Sequence, residues 1–163
     1  MVNEIQDYLQ QRYDFMKAAR LELLAIRSSG LSAREVKHKI TQAVKLEQQS
    51  PHLNTISRTY RKIDVLKLAI SVMFDNEPPS QNAHRLYWKA LELEGKSDAL
   101  KFALENLNHS NHIENEIHNL QDELANPPEV LKHSHLKTSG PGHYKHSYFG
   151  ELMQIWNLLE KID

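Results

Sequence analysis

The sequence predicts an all-α protein, a compact multi-helix bundle of about seven helices forming a single domain over residues 1–163. Three observations predict it. Glycine is scarce, with five in the whole chain. Apolar residues recur at intervals of three and four, the spacing of one helix face. No segment alternates apolar and polar residues as a half-buried strand does. With 40% hydrophobic residues over 163 positions, the chain carries enough apolar material for an ordinary core.

The elements follow in order. A first helix is predicted over 3–27, with Ile5, Leu9, Met16, Leu23 and Ile26 on its buried stripe and Ser28-Ser29-Gly30 ending it. Ser32-Ala33-Arg34-Glu35 is a capping-box pattern, so a second helix starts at Ser32 and continues through Val36, Ile40, Ala43 and Val44 to Gln49. Ser50-Pro51 stops it, because proline disfavours the helical conformation in its predecessor. Asn54 or Thr55 caps a third helix that buries Ile56, Tyr60, Ile63, Leu66 and Ile70 and ends in the almost wholly apolar LKLAISVMF.

Asp75-Asn76-Glu77-Pro78-Pro79-Ser80 is the clearest punctuation and separates a subregion 1–74 from a subregion 81–163. Beyond it, helices are predicted near 81–94, 98–108, 111–125, 128–135 and 148–162, with 136–147 left as a loop. Ile113, Ile117, Leu120 and Leu124 form a narrow apolar stripe on one of these, and Leu152, Ile155, Trp156, Leu159 and Ile162 a broad one on the last. The segment LYWKALELEGKSDALKFALENL resembles a single tetratricopeptide repeat, which implies two helices turning at Gly95. The interval from Gly95 to Ala99 is one residue shorter than that family's, and no second copy follows.

The net charge of -1 conceals an asymmetry. Residues 1–74 hold twelve Lys and Arg against seven Asp and Glu, a balance of +5; residues 75–163 hold eight against fourteen, a balance of -6. A basic part beside an acidic part is what a polyanion-binding region joined to a protein-contact region produces, and equally what two mutually attracting halves of one fold, or a head-to-tail oligomer, produce.

Around residues 31–67 the sequence resembles the helix-turn-helix segment of DNA-binding regulators, with LSAREVKHKI as the leading helix and NTISRTYRKI as the recognition helix. The resemblance implies that Asn54, Thr55, Ser57, Arg58, Arg61 and Lys62 reach base edges and phosphates from the first turns of the recognition helix. On the preceding helix, Arg34, Lys37, His38 and Lys45 share one face and are suited to backbone phosphates. Two features depart from the family pattern: a leading helix of about eighteen residues, and a Ser-Pro-His-Leu turn without glycine.

Four of the ten histidines fall in KHSHLKTSGPGHYKH, residues 132–146. His133, His135, His143 and His146 could ligate zinc or nickel only if the turn at Gly140-Pro141-Gly142 folds the segment back on itself. Their spacing matches no standard zinc signature, so no metal and no cofactor is expected. The same segment, with Tyr144, Tyr148 and Phe149, reads as a lid, a binding loop or a surface connection docking an aromatic against the last helix. His109, His112 and His118, with Glu116 beside them, read as solvated.

Phosphate-loop, dinucleotide and nucleophile-elbow signatures are absent. Ser134-His-Leu-Lys137 matches Ser-x-x-Lys without its partner motifs, and a histidine nuclease would need His143 or His146 with Lys137 or Lys145. A protein that is not an enzyme is expected. The lack of cysteine excludes disulfides and thiolate metal sites. The opening MVNEIQDYLQQRYDF has neither the basic start nor the apolar run of a signal peptide, and no run of eighteen apolar residues occurs, so a cytoplasmic protein without membrane contact is expected. Together these readings point to a DNA-binding, or RNA-binding, regulatory or accessory protein. Its acidic part would serve self-association, as in a dimer, or a protein partner. The alternative is a helical adaptor, chaperone or inhibitor that never touches nucleic acid.

Overall fold

A computed structural model describes residues 2–49, 62–125 and 141–161. Among them are six α-helices and no strand: α1 (Val2–Ser29), α2 (Ala33–Gln49), α3 (Lys62–Val72), α4 (Pro79–Glu105), α5 (Ser110–Ala125) and α6 (Pro141–Glu160). The all-α class predicted from apolar spacing is therefore the one observed. The start of the third predicted helix, with Ile56 and Tyr60, and the short helix near 128–135 lie outside the described residues.

Packing divides the chain into two compact units, one of Lys17–Ala90 and one of Met1–Met16 with Leu91–Asp163. In the first, the α1 residues Ala19, Leu23 and Ile26 form a core with Ala33 and Val36 of α2, Ile63, Val65, Leu66 and Ala69 of α3, and Leu86 of α4. α2 packs directly against α3. In the second, Ile5, Leu9 and Met16 of α1 are buried, as are Leu93, Ala99, Leu100 and Ala103 of α4, Ile113, Ile117 and Leu120 of α5, and Leu152 and Ile155 of α6. α5 packs against α6 there.

The α1–α2 turn is built from local chemistry. Gly30 takes φ 64°, the left-handed conformation that glycine adopts without steric cost. Its N–H donates to Arg27 O at 3.2 Å while Leu31 N–H donates to Ile26 O at 3.3 Å, the paired bonds of a Schellman stop. The capping box closes immediately afterwards. Glu35 N–H donates to Ser32 Oγ and Ser32 N–H donates to Glu35 Oε1, both at 3.2 Å.

Two predicted boundaries are corrected. Helices predicted over 81–94 and 98–108 are one continuous helix, α4. Gly95 is a helical contact point rather than a turn: a Cβ there would lie 2.5 Å from Tyr144 O, 3.2 Å from Tyr148 N and 3.3 Å from Ser147 Cβ. The missing side chain lets the backbones of α4 and α6 approach. Glycine costs about 1 kcal/mol in a helix interior, and tertiary packing readily overrides such a propensity. The last helix begins at Pro141, not near 148, so residues 141–147 of the predicted loop 136–147 are helical. Proline suits a first helical position, whose N–H needs no intrahelical partner.

Candidate functional site

The two packing units separate charge more sharply than the division at residue 75. Lys17–Ala90 holds thirteen Lys and Arg against six Asp and Glu, a balance of +7. The other unit holds seven against fifteen, a balance of -8. Within the basic unit some cations are engaged internally. The Arg85 guanidinium donates to both carboxylate oxygens of Glu77 at 2.8 Å and lies 4.4 Å from the centre of the Phe74 ring. Its hydrogen bonds hold the Glu77 carboxyl below the usual carboxylate value. Arg27 lies 5.1 Å from the centre of the Tyr87 ring.

The α2 face is where basic side chains point outward together. Arg34, Lys37, His38 and Lys45 are all exposed; Arg34, His38 and Lys45 lie on the side of the helix away from buried Ala33 and Val36, and Lys37 lies on its flank, one turn from Ala33. The side chains of Arg34, Lys39 and Lys45 make no hydrogen bond or ion pair with another described residue. Lys37 does: its Nζ donates to Asp75 Oδ1 at 2.9 Å and Oδ2 at 2.8 Å. Lys62 is exposed at the first position of α3. Asn54, Thr55, Ser57, Arg58 and Arg61 lie outside the described residues. Of the nine residues proposed for nucleic acid, four are therefore placed, and Arg34, Lys37 and Lys45 are brought together on one face.

Asp75 sits on the α3–α4 connection, which is clamped from within. Asn82, 4% exposed, accepts from Phe74 N–H through Oδ1 at 3.0 Å and donates through Nδ2 to Phe74 O at 3.1 Å. Its amide thus satisfies both backbone groups of the residue preceding Asp75. Sequence reasoning missed Asp75 and Asn82, because a contact between positions 37 and 75 leaves no periodic trace.

The histidine segment is divided by the helical start of α6. His133 and His135 lie outside the described residues, as does Lys137. His143 and His146 are on the first turns of α6, with His143 Nε2 3.5 Å from Glu92 Oε2 of α4 and His146 exposed. Lys145 Nζ reaches Glu123 of α5 at 3.2 Å. No group of three His, Asp or Glu suited to a metal occurs among the described residues. Tyr144 donates its hydroxyl to Asp98 Oδ2 on α4, so this tyrosine is a packing anchor and not part of a lid. Burial first, then the Asp98 hydrogen bond and charge, raise the Tyr144 hydroxyl well above the ordinary tyrosine value. Burial, with Glu116 and Asp98 nearby, pushes Tyr148 up to about 12. Both phenols stay protonated near neutral pH, where Tyr144 acts as a hydrogen-bond donor and not a base.

No helix among the described residues is long and apolar enough to cross a membrane. Comparison of the chain with family models, with curated proteins and with solved structures finds no match.

Proposed function

We propose that this protein is a cytoplasmic DNA-binding regulatory or accessory factor that grips duplex DNA through the unit Lys17–Ala90 and makes protein contacts, including self-association, through the acidic unit. The observation that carries this reading is the +7 balance of that unit combined with the outward, unengaged Arg34 and Lys45 on α2. Cations at helical spacing on one exposed face fit the phosphate backbone, where each neutralised phosphate releases counterions and adds about -0.9 to the slope of log affinity against log salt. Asn54, Thr55, Ser57, Arg58, Arg61 and Lys62 are the proposed base-edge and phosphate contacts of a following recognition helix. Dimerisation would enlarge an interface that one such module leaves small.

Titration of a labelled duplex at two salt concentrations tests the reading. The expected result is steep loss of affinity with salt, and a slope shallower by about two after Arg34→Ala with Lys45→Ala. Affinity insensitive to salt, or unchanged by that pair and by Arg58→Ala with Arg61→Ala, would sink it. The second reading, a helical adaptor that binds only protein, is favoured by the -8 balance of the other unit. It predicts no duplex binding at physiological salt.

A further inference from the structure

Lys37 faces the same side of α2 as Arg34 and Lys45, yet it already holds an anion. Two carboxylate oxygens of Asp75 lie at 2.8 and 2.9 Å from its Nζ, much as two oxygens of a phosphate would. The pair is open to solvent, with side chains 52% and 58% exposed. An exposed ion pair is worth at most about 1 kcal/mol, so removing the Asp75 charge costs the fold little. Asp75 is nonetheless held in place: the backbone of Phe74 beside it is bonded at both ends by buried Asn82, and Glu77 two residues on is fastened to Arg85. The carboxylate is thus presented to α2 by an ordered connection.

We infer that Asp75 is a resident phosphate mimic that occupies Lys37 and withholds one backbone contact from DNA. The inference rests on the DNA-binding reading above and names an intramolecular competitor within the same face. With Asp75 in place, Lys37 neutralises no phosphate and so releases no counterion from the DNA, and α2 engages the backbone through Arg34 and Lys45. Neutralising Asp75 without changing its shape frees Lys37 as a further contact.

The test compares the salt dependence of duplex binding for four full-length proteins: unaltered, Asp75→Asn, Lys37→Ala, and the double variant. Asp75→Asn is expected to bind more tightly at low salt and to steepen the log–log slope by about 0.9, so that its affinity falls about 3.5-fold further than the unaltered protein's between 50 and 200 mM salt. Lys37→Ala alone leaves the slope unchanged, and in the Asp75→Asn background it abolishes the gain. Thermal unfolding shows that each exposed-site variant is folded. If the unaltered protein binds with a salt-dependent slope that Asp75→Asn does not steepen, or if Lys37→Ala alone flattens the slope, the inference is overturned while the DNA-binding reading stands. If no variant binds duplex DNA, both fall together.

Discussion

Arg12 on α1 and Glu151 on α6 meet in a two-point ion pair, Nε to Oε2 at 2.5 Å and Nη2 to Oε1 at 2.8 Å, with the Glu151 side chain 2% exposed. Among the described residues Glu151 has the carboxylate least accommodated by water, and Arg12 is its compensation. The hydrogen bonds it donates to Glu151 hold the Arg12 guanidinium above its ordinary value. Arg12→Ala should therefore destabilise the protein by about 3 kcal/mol, at the lower end for a broken buried pair because Arg12 reaches partly into solvent. Replacing both partners by leucine should recover most of that loss, since no uncompensated charge is left behind. Urea unfolding of the unaltered protein and the two variants checks this; a single variant no less stable than the double one would contradict it.

Two helical glycines should respond to alanine with opposite signs. At Gly95 a Cβ would meet the backbone oxygen of Tyr144 at 2.5 Å, so Gly95→Ala must push α4 and α6 apart. The overpacking cost of about 1–3 kcal/mol exceeds the gain in helix propensity, so the substitution destabilises. At Gly150, inside α6, nothing lies within 4 Å of the added atom. Gly150→Ala should stabilise by about 0.5–1 kcal/mol. Chemical denaturation midpoints distinguish the two directly.

The tyrosines of α6 give the protein an alkaline limit. An unperturbed phenol ionises near 10, whereas Tyr148 is pushed up to about 12 and Tyr144 is also raised. The folded state thus keeps protons that the unfolded chain releases, so the stability from these neutral phenols is complete below pH 10 and is lost as pH rises through the folded values. Tyr144→Phe with Tyr148→Phe should flatten stability against pH above 10. Phenolate absorbance should show a late-titrating component in the unaltered protein that the variant lacks.

What the sequence made legible was local. Gly30, Ser32 and Glu35 act on residues within five positions of themselves, so the stop of α1 and the start of α2 could be read from spacing alone. Gly95 could not: a glycine at a turn and a glycine at a helix crossing look alike until Tyr144 is placed against it. Gly140-Pro141-Gly142 misled for a related reason, since proline favours a helix start as readily as it punctuates a loop. The α2 face of Arg34, Lys37 and Lys45 followed from periodicity. That Lys37 is held by Asp75, and that Asn82 clamps the backbone beside it, depends on side chains converging from separate elements, which no one-dimensional pattern encodes.

The division of the chain sets an order of events during synthesis. Lys17–Ala90 is one uninterrupted segment, whereas the other unit joins Met1–Met16 to residues from Leu91 onward. Domains fold as their residues emerge from the ribosome, and contacts distant along the chain close late. The basic segment can therefore consolidate while its acidic counterpart is still being translated. Ile5, Leu9 and Met16 must meanwhile wait without their partners, and Arg12 meets Glu151 only after 139 further residues have been added. A translational pause soon after Ala90 would hold a nascent chain whose basic unit is complete and whose N-terminal apolar stripe is still bare, the state in which a holding chaperone would find it.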